Sequence, residues 1–566
     1  MNKKKSSNSL KAIILAVLFL TSCVGGQVGR NNSEEYRNGM VVSAHPSASK
    51  VGIDILKKGG NAIDAAVAVQ FALAVVYPSA GNLGGGGFMV YRSADGEIAS
   101  LDFREKAPGK ASRDMYLDEA GNPITVKSLY GHLAAGVPGS VDGMVKAHAK
   151  YGKLSWAEVI QPSVDLARRG FPVTERQTRD FVEEQEDFKK YNPGKSYYIK
   201  DKWVPGELWV QDDLANTLEL IRDKGREGFY EGPVADLIVA EMQSGAGIIS
   251  KEDLKNYQAV WREPITGNYK DYKVITVPPP SSGGIALLQL LNSVEPFPLR
   301  RWGYNSDSTV QVMVEAERRV YADRASHLGD PDFYKVPQKY LILPVYSKFR
   351  MSNFNWDKAT PSTDIKAGEV PMESEETTHF SIVDKAGNAV SVTTTINGSY
   401  GSKVFVKGAG FLLNNEMDDF SVKPGSPNMY GLLGGEANSV QPNKRMLSAM
   451  TPTILEKNGE LFMVVGTPGG STIITSVFQT ILNVIEFDKS MQAAVSAKRF
   501  HHQWFPDDIA MERKALDSMT VVRLTQKGYK FRDRGPIGRV DAILKTKWGY
   551  YEGGADPRGD DTTLGW

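Results

Sequence analysis

Cysteine is almost missing from this chain: Cys23 stands alone among 566 residues. A single thiol excludes an intrachain disulfide framework and a cysteine-built metal site. An excess of either charge is missing too, with 67 Lys plus Arg against 66 Asp plus Glu. That balance excludes a strongly basic footprint for nucleic acid and a strongly acidic field, and it leaves small-molecule chemistry as the better expectation. No repeat of solenoid spacing is present. Long apolar runs are missing as well: Ala12 to Leu20 is too short to span a membrane, and the run from Ala62 to Val76 is short and interrupted. What is there is a globular composition, 41% hydrophobic, able to bury a large core and long enough for about three or four domains.

The short apolar run accounts for the cysteine. Lys3, Lys4, Lys5 and Lys11 precede it in the pattern of a secretory signal, and Leu20-Thr21-Ser22-Cys23 resembles a bacterial lipobox, whose cysteine is lipidated and becomes residue one. Residues 1–22 then read as a lipoprotein signal peptide and 23–37 as a flexible tether, because Val24 to Glu35 is rich in Gly, Asn and Ser. A plain signal peptide with an incidental cysteine is the alternative.

Further along, Asn38 to Ser43 reads as a short strand, and Pro46 marks a helix start with Gly59-Gly60 as its stop. Asn61 caps the next helix, with Asp64 three positions on; being apolar nearly all round, this helix belongs inside a multilayer fold. Gly84 to Gly87 lacks the Lys-Ser/Thr of a phosphate loop and leads into a strand, so the glycines serve close backbone approach. Arg104, at a strand end, is well placed to hold a carboxylate with two parallel bonds. Ser155 to about Leu254 is mainly helical. Val277 to Gly284 reads as a rigid loop before an apolar helix from Ile285, Val312 to Phe333 as a long charged helix stopping at Gly329, and Asp357 to Glu376 as an exposed polar linker.

The linker runs into the stretch that organises the rest. His379 to Ile382 alternates polar and apolar residues, Asp384 to Asn388 is a turn, and Ala389 to Thr395 is rich in Val and Thr, which together predict a β-hairpin. A mid-chain threonine hydroxyl is a weak nucleophile. If the bond before Thr377 were cut, the new α-amine, with a pKa of roughly 8, would sit beside the hydroxyl and could take its proton. By itself the segment reads more readily as an ordinary strand of a sheet protein.

The runs Thr377 to Ser402, Leu412 to Thr453 and Gly466 to Ser471 decide the matter, because together they resemble the small subunit of a gamma-glutamyltransferase. The resemblance extends from about Gly39 almost to the C-terminus. It implies an α+β fold, the four-layer αββα sandwich of the N-terminal-nucleophile hydrolases, built jointly by a large subunit (38–376) and a small catalytic subunit (377–566). It implies self-cleavage between Glu376 and Thr377 and catalysis by Thr377, with Thr395 and Asn397 as active-site neighbours. It assigns the substrate α-carboxylate to Arg104 and the α-amino group to Glu416 and Asp419. Many relatives carry Gln at the position of Glu416. Ser448 matches one serine that holds the glutamyl end, while Ala449 replaces a second. The resemblance places the oxyanion hole at Gly469 and Gly470. Glycines at a helix start present backbone N–H groups to developing charge, worth roughly 3 kcal/mol per donor. The Gly-rich stretch Lys423 to Val440 resembles a lid-loop, with Tyr430 closing over the pocket. His501-His502 lacks a third ligand at metal spacing, so neither a metal nor a cofactor is expected.

The expected activity is transfer of the γ-glutamyl group of glutathione and related compounds to water or to amino-acid and dipeptide amines. The expected protein is a heterodimer of two self-cleaved fragments, exported to the periplasm or cell surface and held to the membrane only by lipid on Cys23, with no nucleic-acid partner. Two rivals stand beside it: a cephalosporin (glutaryl) acylase, whose substrate has no α-amino group for Glu416 and Asp419, and a non-catalytic surface lipoprotein that uses the fold for binding.

Overall fold

The hairpin expected after Thr377 is present as the strands Thr378–Val383 and Ala389–Thr395. Its turn is closed by Asp384, whose Oδ1 accepts from the backbone N–H groups of Ala386, Gly387 and Asn388 at 2.9 to 3.0 Å. The computed structural model describes residues 35–194, 196–366, 377–423 and 435–566.

The hairpin sits at the centre of a seven-stranded antiparallel sheet, in the order Thr562–Gly565, Met40–Ser43, Thr378–Val383, Ala389–Thr395, Gly86–Arg92, Ile98–Asp102, Val260–Arg262. A second antiparallel sheet of seven strands runs Glu35–Tyr36, Tyr551–Gly554, Asp541–Lys545, Glu460–Gly466, Thr453–Lys457, Tyr272–Thr276, Ile265–Tyr269. Both sheets are built from strands that lie before and strands that lie after Thr377, three after and four before in the first, four after and three before in the second. A cut at that point would therefore leave two fragments that share both sheets.

Strand periodicity assigns each side chain its layer. Met40, Val42, Phe88 and Val90 of the first sheet meet Ile275, Ile454, Val464 and Ile543 of the second in the apolar seam between them. The alternate residues Val41, Met89, Phe380 and Val392 face outward onto helices. The chief of these helices is Ala62–Val76. Asn61 and Asp64 form the expected capping box, and all fifteen residues are buried, including Asp64 and Gln70. Fully burying each Val, Leu or Phe there contributes roughly 1.5–3 kcal/mol. On the outer face of the second sheet lie Gly283–Val294, Asp307–His327 and Thr472–Ile485, packed on Val274, Leu455, Met463 and Val465. The result is the αββα sandwich.

Three local expectations are corrected. The helix expected from Ile285 begins at Gly283, because a Cβ on Gly283 or Gly284 would strike the carbonyls of Met450 or Val277; these glycines pack the first turn rather than end a loop. The charged helix starts earlier, at Asp307 behind the Ser306 cap, and is buried along most of its length. Its charges are compensated by partners on and beyond the helix: Arg319 meets Glu315 at 2.5 Å, Arg350 meets Asp323 at 3.0 Å, and Arg318 pairs with Asp507. The stretch from Asp357 is exposed only in part. Ser362 and Ile365 are buried, and Ser362 accepts from Arg318 at 2.6 Å while its amide donates to Asp507 at 2.9 Å.

Candidate active site

Gly84 to Gly87 sets the floor of the site. A Cβ on Gly84, Gly85 or Gly87 would run into the carbonyls of Leu412, Thr395 or Thr393, so only glycine lets these strands approach so closely. On this floor Asn414 ties three segments together. Its Nδ2 donates to the carbonyls of Gly84 and Gly136 at 2.7 and 2.8 Å, and its Oδ1 accepts from the amides of Gly136 and Glu416 at 2.8 and 3.0 Å. The short turn Glu416–Asp419 is fixed as a result, and both of those carboxylates point inward.

Arg104 lies two residues beyond the strand Ile98–Asp102. Its amide donates to Asp102 Oδ1 at 3.0 Å, and its carbonyl accepts from Tyr257 Oη at 2.7 Å. Its guanidinium lies 2.6 Å from Glu416, pairs with Asp419, and reaches Glu105 at 3.5 Å. One buried cation thus serves three buried carboxylates. Burial, only partly opposed by Arg104, holds Glu416 well above the usual carboxylate range and pushes Glu105 to about 8; Asp419 is raised for the same reason. Glu105 Oε1, Glu416 Oε1 and Asp419 Oδ1 accept no hydrogen bond from the described residues. Such a cluster is short of positive charge, and an ammonium supplies it.

Thr377 is 5% exposed and lines one cleft with Arg104, Thr395, Asn397, Glu416, Asp419, Ser448 and Gly470. The side chains close on one another, leaving about 10 Å³ open. Thr395 Oγ1 accepts from the Asn397 amide at 2.7 Å, and Asn397, at φ +69°, donates from Nδ2 to the Asn415 carbonyl at 3.0 Å. The Ser448 carbonyl accepts from both the amide and the hydroxyl of Ser282, at 2.7 and 2.6 Å, and Ser282 Oγ accepts in turn from Arg324 at 2.7 Å. The loop before the helix Gly283–Val294 therefore braces the wall that carries Ser448. Gly469 and Gly470 precede the N-terminus of Thr472–Ile485 at φ +133° and +55°. Their amides donate to no acceptor among the described residues.

The structure brings together Arg104, Thr377, Thr395, Asn397, Glu416, Asp419, Ser448 and Gly470, with Gly469 adjoining. Cys23, Glu376 and Tyr430 lie outside the described residues. Sequence reasoning passed over Glu105, Met450, Ile473 and Asn438. Asn438 Nδ2 donates to the Asp419 carbonyl at 2.7 Å and its Oδ1 accepts from the Leu447 amide at 2.9 Å, stapling the acidic turn to the Ser448 wall. Three histidines of the suggestive motifs are core residues. His379 bonds Thr393 and Ser381 at 2.9 and 3.1 Å, and burial lowers it to about 3; burial likewise lowers His501 to about 3 and His502 to about 4. Neutral in this range, His379 holds the hairpin rather than moving a proton.

A threonine beginning a central strand, an arginine and two carboxylates facing it, and two glycine amides at a helix start form a site for acyl transfer from an amino-acid-like donor. The comparisons agree. The family model described as gamma-glutamyltranspeptidase matches residues 48–566. The chain belongs to the gamma-glutamyltranspeptidase family. It is 47% identical over 535 residues to the glutathione hydrolase proenzyme of Escherichia coli (strain K12), covering 94% of this chain and 92% of that one. Among solved structures, a cephalosporin acylase from Bacillus halodurans superimposes with a TM-score of 0.84 at 25% identity, covering 100% and 99% of the two chains. The gamma-glutamyltranspeptidase of Helicobacter pylori gives 0.57 at 47% identity, covering 57% of this chain and 94% of that one. The chain is thus an enzyme of γ-glutamyl hydrolysis and transfer, with the N-terminal-nucleophile fold.

Proposed function

We propose that the chain is cut between Glu376 and Thr377 and that Thr377, with its freed α-amine as base, attacks the γ-carbonyl of glutathione or a related γ-glutamyl compound. The carrying observation is the cleft that Thr377 shares with Arg104, Glu416 and Asp419. Arg104 takes the α-carboxylate, and Glu416 with Asp419 takes the α-ammonium. The amides of Gly469 and Gly470 receive the oxyanion, and the hydroxyl of Thr395 and the amide of Asn397 orient the nucleophile, while Ser448 borders the glutamyl chain. The C–N bond breaks, the amine leaves with a proton, and a glutamyl ester remains on Thr377. Water or an amino-acid or dipeptide amine then displaces it, giving glutamate or a new γ-glutamyl compound. The resemblance assigns the closing of the pocket to Tyr430, which lies outside the described residues.

The two fragments, 38–376 and 377–566, stay together as a heterodimer because both contribute strands to each of the two sheets. The Escherichia coli relative is named a proenzyme, which supports the processing. Export through residues 1–22, a tether from Cys23 that ends where Glu35–Tyr36 joins the second sheet, and a lipid on Cys23 complete the reading; the export, the tether and the lipid rest on the sequence. Among the described residues no helix is long and apolar enough to cross a membrane.

Glutaryl acylase chemistry is the second reading, favoured by the Bacillus halodurans neighbour. It leaves Glu416 and Asp419 facing a substrate with no cation. Glutathione consumption with and without glycylglycine tests the main reading: processed enzyme should consume glutathione and form γ-glutamyl-glycylglycine. Cleavage of a glutaryl amide with no glutathione consumption would overturn it.

A further inference from the structure

Large apolar side chains that stand exposed are gathered in one stretch. Six of the fifteen among the described residues, Phe333, Tyr340, Leu343, Val345, Phe349 and Trp356, fall within 24 consecutive positions. Apolar residues exposed singly need no explanation, whereas a cluster of them marks a surface that meets something. Tyr340, Leu343, Val345 and Phe349 form its centre, at 57%, 43%, 66% and 67% exposed.

This exposure does not come from a loose segment. Leu341 and Tyr346 are buried in the helical layer outside the second sheet. Asn292 Nδ2 donates to the Ile342 carbonyl at 3.0 Å, Arg319 Nε donates to the Arg350 carbonyl at 2.8 Å, and Arg350 meets Asp323 at 3.0 Å. On the helix Pro344–Arg350, Tyr346 and Ser347 turn inward, while Val345 and Phe349, four positions apart, share the outer face. Leu343 stands at the N-cap of that helix, and the Tyr340 ring packs on Tyr346 with centroids 4.8 Å apart. A fixed inner face thus holds four large apolar side chains out toward solvent.

The charges beside them are of one sign. From Phe333 to Trp356 the chain has no Asp or Glu, against Lys335, Lys339, Lys348 and Arg350. Arg350 is paired, but the three lysines are exposed and meet no carboxylate among the described residues. Apolar side chains flanked by unpaired lysines suit an anionic bilayer: the apolar groups enter the boundary between headgroups and acyl chains, and the lysines meet lipid phosphates. The sequence also supplies the means of approach. Twelve residues, Cys23 to Glu34, separate the proposed lipid from the first strand at Glu35–Tyr36. Even fully extended they reach only about 40 Å, so a bilayer stays at high local concentration beside the folded body.

Resting on the reading of Cys23 above, we infer that the face formed by Tyr340, Leu343, Val345 and Phe349, with Lys339 and Lys348 beside it, docks on an anionic phospholipid surface. It is a second contact, weaker than the lipid and sensitive to salt, that orients the tethered body on the bilayer. Without the lipid it is too weak to hold the protein at cellular salt, and it shows only at low ionic strength with phospholipid in excess.

The test sediments soluble Cys23→Ser protein with vesicles of phosphatidylglycerol or of phosphatidylcholine. The protein should bind the phosphatidylglycerol vesicles severalfold more tightly than the neutral ones at about 20 mM salt and lose most of that binding at about 500 mM. Adding Val345→Asp and Phe349→Asp should weaken binding about tenfold or more, and adding Lys339→Gln and Lys348→Gln should weaken it severalfold. All of these positions are exposed, so Tm and the hydrolysis of a γ-glutamyl anilide should stay at the wild-type level. Failure to bind phosphatidylglycerol vesicles, equal binding to both kinds, or binding that survives the two aspartates overturns the inference. A dimer in sedimentation velocity that the two aspartates dissolve would also overturn it, because the face would then belong to a second copy of the chain. Wild-type protein whose mass shows no lipid would instead refute the Cys23 reading and leave the vesicle result standing, so the two failures are distinct.

Discussion

Arg104 and Glu416 meet at 2.6 Å with side chains 1% and 0% exposed, and Asp419 shares the same guanidinium. The groups assigned to the two charges of an amino acid are thus paired with each other before any donor arrives. A zwitterion inserted between them exchanges one set of pairs for another and adds no net charge to a buried site, which keeps the desolvation penalty within reach.

Asp419→Asn tests the clamp. Leaving a desolvated ammonium short of one partner costs roughly 2 to 5 kcal/mol, or about 30- to 4000-fold in kcat/KM for a γ-glutamyl anilide. A glutaryl anilide has no ammonium, and its kcat/KM should change much less. A processed Asp419→Asn enzyme that lost less than about threefold on the γ-glutamyl substrate, below roughly 1 kcal/mol, would show that the pocket is wrongly assigned.

The clamp also makes stability depend on pH. Glu105, facing Arg104, Glu416, Asp419 and Asp102, is pushed by burial to about 8. The folded state therefore holds a proton that the unfolded state gives up near its ordinary value of about 4.5. Stability from this group is complete below that lower value and is lost as pH rises toward 8. Substrate-free wild type should fall in Tm between pH 5 and 8.5, and Glu105→Gln should flatten the fall. A variant with the wild-type slope would place the titration elsewhere.

Thr377→Ala should remain a single chain on a denaturing gel while wild type gives two fragments. Each sheet combines strands from both sides of the cut, so wild-type fragments should co-purify without denaturant. A cleaved Thr377→Ala protein, made free of host proteases, would refute self-processing.

Cys23→Ser should move the protein from the membrane to the soluble fraction without changing its specific activity, since the sheets begin only at Glu35. Unchanged partitioning would rule out the lipid.

Much of this site could be read in the sequence, because Thr377, Gly469, Gly470, Arg104, Glu416 and Asp419 stand in motifs that together resemble one family, though the Thr377 segment alone reads as an ordinary strand. The hairpin and the helix Ala62–Val76 were legible from period and caps. What was hidden depends on partners far along the chain. The helix Asp307–His327 reads only as long and charged, because its sequence gives no sign of the partners Asp507 and Arg350. Arg176 and Arg534 look like ordinary surface charges until the fold sets them around one cavity. Glu105 was passed over because a carboxylate beside an arginine in sequence does not announce a shared burial.

The oxyanion assignment gives the last test. Gly469 stands at φ +133°, where a side chain is strained, and its carbonyl is pinned by Thr472, which donates from its amide at 3.0 Å and its hydroxyl at 2.6 Å. A Cβ would press on that same hydroxyl, so Gly469→Ala must turn the peptide and with it the adjoining amides. If they receive the oxyanion, the loss falls on the transition state: kcat should drop about 10²- to 10³-fold with donor KM nearly unchanged. Gly459→Ala separates this from backbone strain. Gly459 also lies at positive φ, +79°, but in the turn between Thr453–Lys457 and Glu460–Gly466 with open space around it. That variant should lower Tm and leave kcat alone. Should Gly469→Ala behave the same way, with kcat within about threefold of wild type, the glycine pair shapes the helix start and the oxyanion is held by other donors.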